Sequence, residues 1–136
     1  MLLLFSCASQ APPNGGPLDL SGPIVLSIKP ESSHEILSNK QKIYIIFDEL
    51  IDSKSLPNSI DIYPKIKINK SIKNSTLIIE PIDRWPENIP IEITISRSLS
   101  DYQNNNLDET IQLFFNSISK QSTYNINGYL YNSNEK

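Results

Sequence analysis

The side chains able to do more than hold a fold sit in a few separate places along this chain. Cys7 is the single cysteine, and it follows Leu2, Leu3, Leu4, Phe5 and the small Ser6. A short apolar run closed by a small residue is the tail end of a secretory signal, and the thiol behind it is open to two readings, a point of covalent attachment or an ordinary small hydrophobe. One cysteine excludes an internal disulfide. In the stretch FDELID, Asp48, Glu49 and Asp52 lie close together, and neighbouring carboxylates can exchange protons or hold a hard cation. In DYQNNN, Asp101, Gln103 and Asn105 have the one-three-five spacing of a calcium loop. His34, the single histidine, stands in the polar connector ESSHEILSN with no serine or cysteine arranged beside it as a nucleophile.

Most of these options weaken on inspection. The sixth position of the calcium-like loop is Asn106 where glycine is required, and the twelfth is Gln112 where a bidentate glutamate is required, so it is not an EF-hand. A looser cation site drawn from Asp48, Asp52 and Asp101 needs the two acidic loops to share one end of the fold. Acidic residues at strand ends also accept backbone hydrogen bonds, and that use assigns no catalytic residue and calls for no cofactor. The chain has 136 residues, a formal net charge of -3 and a sequence pI of about 5.1, a balance that excludes nucleic acid as a partner. Nothing in it approaches the run of about 18 apolar residues that reads as a membrane span.

The elements that must position these groups are strands. Apolar residues alternate with period two in IVLSIK, KIYIIF (42–47), SIDIY (59–63), KIKIN (65–69), STLIIE (75–80), IEITIS (91–96) and IQLFF (111–115). Ile91, Ile93 and Ile95, separated by Glu92 and Thr94, show the pattern of an antiparallel strand with one face on a core. With 10 prolines against 4 glycines, and with Asn and Asp in the connections, the spacing predicts an all-β sandwich of about seven antiparallel strands. Only SKSLPNS could form a helical turn, and Pro57 with Asn58 stops it. Trp85, between prolines in PIDRWPENIP, is expected to cap one end of the core rather than stack on a ligand. Lys65, Lys67, Lys70 and Lys73 alternate with isoleucines and are expected on a solvated face that also protects an edge.

Residues 8–23, ASQAPPNGGPLDLSGP, have no hydrophobic period and a composition unable to bury enough surface to order itself, as expected of a tether. The order of pieces then carries a resemblance. SGPIVLSIKPESSHEILSNKQKIYIIFDELIDSKSL, followed by TLIIEP, ENIPIEITISRSLSD and FFNS, resembles the surface-layer-type (SbsA-type) bacterial Ig-like domain over most of 23–117. The family's aspartate turn is present as DYQNNNL, with Asn104 in place of glycine, a residue that tolerates the left-handed backbone. LFSC resembles the lipobox of bacterial lipoproteins, and CASQAPPNGGPLDLSGP resembles the leader of Gram-negative lipoproteins that carry such a domain first.

These resemblances imply a division into a truncated lipoprotein signal (1–6), a tether (7–22), an Ig-like sandwich (23–118) and a linker opening a possible further domain (119–136). The missing basic and apolar parts of the signal are expected upstream of Met1, and STYNINGYLYNSNEK is expected either to begin another domain or to hang from the sandwich. They further imply a non-enzymatic envelope lipoprotein, lipidated at Cys7, with the membrane as partner through that anchor and other envelope proteins or polysaccharide as further partners. Ala8 follows the cysteine where an aspartate would retain some lipoproteins in the inner membrane, which points to the outer membrane. The alternative is a non-catalytic N-terminal module of a larger envelope enzyme or carbohydrate-binding protein.

Overall fold

The computed structural model describes residues 16–32 and 37–116. In chain order these form β1 (Val25–Lys29), β2 (Ile43–Phe47), a 3-10 turn (Ser53–Ser55), β3 (Ile60–Tyr63), β4 (Ile68–Lys73), β5 (Thr76–Pro81), β6 (Ile91–Ile95) and β7 (Ile111–Phe115). All pairings are antiparallel, in one sheet of order β1-β2-β5-β4 and a second of order β3-β6-β7. That four-plus-three partition is the arrangement of a constant-type Ig sandwich.

Alternation decides which faces meet. Ile43, Ile45 and Phe47 of β2 are buried while Tyr44 between them is exposed, and Ile91, Ile93 and Ile95 of β6 are wholly buried. Register aligns these rows: Ile45 lies opposite Leu77, while Ile93 lies between Ile62 on one side and Leu113 on the other. A slip of one residue in any pair would turn a row of isoleucines to solvent, so burial fixes the register. β1 keeps both Val25 and Ile28 against the core through a register shift between Val25 and Ser27.

The fourth strand differs from expectation. It begins at Ile68 instead of Lys65, because the chain leaves β3 through Pro64, which has no N–H for a ladder, and pairing starts only with Ile68 opposite Pro81. Lys70 consequently shares the inward-leaning face with Ile68 and Ile72, and its Nζ donates to the carbonyls of Leu56 and Pro57 at 3.3 and 3.1 Å. It is therefore not one of a solvated row; its aliphatic stem lies along the edge and its charge closes a turn. Lys65 pairs with Asp61, whose carboxyl is held below its ordinary range chiefly by that hydrogen bond.

The register also fixes the two poles. Val25 at the start of β1, Phe47 at the end of β2, Ile95 at the end of β6 and Ile111 at the start of β7 lie at one pole, where the chain comes in. Lys29, Ile91 and Phe115 lie at the other, where it leaves; there Leu37 N–H donates to the Asn116 carbonyl at 2.8 Å. Five-residue strands separate the poles by about 17 Å before loops are added. Trp85 closes the C-terminal pole. It is 1% exposed, its backbone N–H reaches the Asn39 carbonyl and its Nε1–H the Gln41 carbonyl at 2.8 Å.

Truncating the centre of the second sheet with Ile93→Ala is expected to cost about 2–5 kcal/mol in urea unfolding. The same change at exposed Ile89 should stay within about 0.5 kcal/mol.

Candidate functional site

The acidic residues singled out in the sequence converge on the N-terminal pole, where three segments meet: 19–24, 48–52 and 100–107. Isolated bridges pair Ile51 with Asp101 and Ser100 with Asn106. Asp52 N–H donates to the Ser100 carbonyl at 2.9 Å, and Ser100 N–H donates to Ser55 Oγ at 3.2 Å. The two acidic loops thus do share one end of the sandwich, but Asp48, Asp52 and Asp101 turn their carboxylates to backbone N–H groups.

Asp101 is the centre of the arrangement. It is 2% exposed, and its Oδ1 accepts the backbone N–H groups of Gln103 and Asn105, each at 2.8 Å, while its Oδ2 accepts Asn105 Nδ2–H at 2.9 Å. A buried carboxylate this well supplied with donors stays charged. Desolvation pushes its pKa up, but hydrogen bonds from the Asn105 backbone and amide, from Gln103 and from Glu49 outweigh it and leave the group below its ordinary value. The one-three-five spacing of Asp101, Gln103 and Asn105 is thus the signature of a carboxylate folding a loop around itself. Asn104 completes the loop in the left-handed region at φ 67, the conformation expected of the residue standing in for glycine.

Asp48 Oδ1 accepts the Ile24 N–H at 2.8 Å, with Asp48 N–H returning to the Ile24 carbonyl at 3.0 Å, which ties the incoming chain to the end of β2. Asp52 caps the 3-10 turn by accepting Lys54 N–H at 3.0 Å. Among the described residues no group of three or more His, Cys, Asp or Glu is placed to hold a metal ion. Cys7 and His34 lie outside the described residues.

The partner of Glu49, one of the carboxylates singled out in FDELID, and the place of Gly22 were not legible in the sequence. Glu49 lies against Asp101, and its carboxyl is pushed up to about 7, first by desolvation, then by the charge of Asp101 and a hydrogen bond to it, and further by Asp48 and Asp19. Gly22, read from composition as part of the tether, passes so close to the 101–107 loop that a Cβ there would sit 1.8 Å from the Asn106 carbonyl oxygen. Asn105 Nδ2–H also reaches the Asp19 carbonyl at 3.2 Å, so residues 19–22 lie against the domain. A glycine ahead of a proline was the sequence signal; what it approaches depends on the fold.

Two sheets in this order, with a buried aspartate turn at one pole and a tryptophan at the other, define a small Ig-like sandwich. The family model of the bacterial Ig-like domain matches residues 19–117, and the chain belongs to that family. The first matched residue, Asp19, is also the outermost member of the pole network. Among solved structures, an L,D-transpeptidase from Mycobacterium smegmatis is similar at a TM-score of 0.50 and 14% identity, covering 71% of this chain and 40% of that one. The likeness is one of fold, and this chain spans well under half the length of that protein. No curated protein matches. No helix among the described residues is long and apolar enough to cross a membrane.

The pole makes stability depend on pH in two opposite ways. Glu49, raised in the folded state, contributes stability that is complete below its unfolded value near 4.5 and is lost as pH climbs through about 7. Asp101, lowered, contributes stability present above 3.8 and lost as pH falls through its folded value. Glu49→Gln is therefore expected to raise Tm at pH 8, by about 4–8 °C if screening leaves about 1 kcal/mol, and to flatten the decline between pH 5 and 8 in a melting series. Gly22→Ala, which must displace backbone, should lower Tm at every pH, by about 1–3 kcal/mol of stability.

Proposed function

We propose that this Ig-like domain is a spacer and docking module of a bacterial envelope lipoprotein, anchored through Cys7. The observation that supports it best is where the chain enters and leaves the sandwich: it comes in at the pole built around Asp101 and leaves at the pole closed by Trp85. A module with its ends at opposite poles adds its length in series between whatever precedes and follows it. Its acidic side chains support the same reading, since Asp48, Asp52 and Asp101 are engaged in holding backbone. The apolar run before Cys7 supplies the attachment point, and several acyl chains on one cysteine would hold it stably at a membrane. The outer membrane is the location this reading assigns, with envelope proteins or polysaccharide as further partners.

A second reading has one finding in its favour. The solved L,D-transpeptidase with this fold in part of its chain is a larger protein, so the domain would serve equally as the non-catalytic module of an envelope enzyme. In that case the length contributed by the sandwich would position a catalytic domain.

Anchoring is tested by intact mass after expression in a Gram-negative host behind a complete lipoprotein signal. The mature chain should begin at Cys7, carry added acyl mass and partition into detergent, and Cys7→Ser should abolish all three. An unmodified soluble wild type would refute the anchor and leave the spacer without its membrane.

A further inference from the structure

The N-terminal pole carries an apolar fringe that the network beneath it does not use. Leu18 is 84% exposed, Leu20 77%, Tyr102 65% and Leu50 53%. They surround one patch of surface: a depression lined by Leu18, Leu20 and Asn105 adjoins another lined by Glu49, Leu50 and Tyr102, and Gln103 borders both. Large apolar side chains gathered at one tip of a small domain mark a contact surface. Leucines beside a tyrosine suit the boundary between lipid headgroups and acyl chains, where an aromatic ring keeps its hydroxyl in the wet layer.

The chain itself indicates what this tip meets. Cys7 precedes Gly16 by nine residues, a stretch that spans at most about 30 Å when fully extended. A lipid on Cys7 would therefore keep this pole, and not the Trp85 pole, within about one domain diameter of the bilayer. We infer that the tip formed by Leu18, Leu20, Leu50 and Tyr102 rests on the surface of a zwitterionic membrane, holding the sandwich upright on its anchor. The inference rests on the anchoring proposed above. Asp19, Asp48 and Glu49 ring the same tip, which favours headgroups that present an ammonium and disfavours anionic lipid.

The unique thiol makes the test independent of natural acylation. The full chain carrying Tyr102→Trp is coupled through Cys7 to a maleimide lipid in phosphatidylcholine vesicles, with and without brominated acyl chains as a fluorescence quencher. Trp85, buried at the far pole, is the internal reference that stays unquenched. Bromolipid should remove roughly half of the total tryptophan emission, as expected for a ring seated at the headgroup boundary. Adding Leu18→Ser, Leu20→Ser and Leu50→Ser should restore the emission while an unchanged melt shows an intact fold. Replacing half of the lipid with phosphatidylglycerol should weaken the quenching. Absence of quenching, or quenching that survives the three serines, would overturn the inference; equal quenching on anionic vesicles would overturn its preference for zwitterionic lipid. Since the tether is chemical, an unacylated Cys7 in cells would refute the anchor and leave this result readable.

Discussion

A two-sheet sandwich seals itself along its faces but not at its ends, and in this domain the closing of the ends is the constraint on which the rest depends. Apolar rows on β2, β5 and β6 meet across the middle without help from any polar group. At each pole, however, strands stop, backbone groups lose their ladder partners, and the core would be open to water. The C-terminal pole is closed by bulk, with Trp85 laid over the core and its one polar atom satisfied by a carbonyl. The N-terminal pole is closed by charge, with Asp101 buried and turned into a hub for N–H donors.

The second solution has consequences the first does not. A buried carboxylate that stays ionised imposes a field on its neighbours, and Glu49, already desolvated where it lies, is helped by that charge to hold its proton to near neutrality. It also imposes shape. The loop wrapped around Asp101 presents the Asn106 carbonyl to the incoming chain at a distance that admits only glycine, so Gly22 belongs to the domain as firmly as any strand residue. The folded unit consequently takes in residues 19–22 ahead of the first strand, in agreement with the span of the family match.

A pole of this construction also separates two jobs. The hydrogen-bonded layer around Asp101 fixes the geometry, and the leucines and tyrosine outside it are left free of structural duty. At the opposite pole Trp85 is itself part of the core.

The amino-acid sequence alone determined the strand count, the two-faced alternation of each strand and the left-handed Asn104, because each depends on residues within a few positions of one another. It also marked Asp48, Asp52 and Asp101 as a group. Tertiary structure alone decided what that group does. The direction of a carboxylate depends on which backbone comes opposite it, and here Ile24, Lys54, Gln103 and Asn105 supply the N–H groups that a cation would have replaced. The same holds for Lys70, whose place on the inner face follows from where pairing resumes after Pro64, for Gly22, which is ordinary in sequence, and for Glu49, which the sequence groups with Asp48 and Asp52 but not with its neighbour in the fold. Their constraints arise from contacts with chain more than 50 residues away, Asn106 for the one and Asp101 for the other, and local pattern carries no record of such distances.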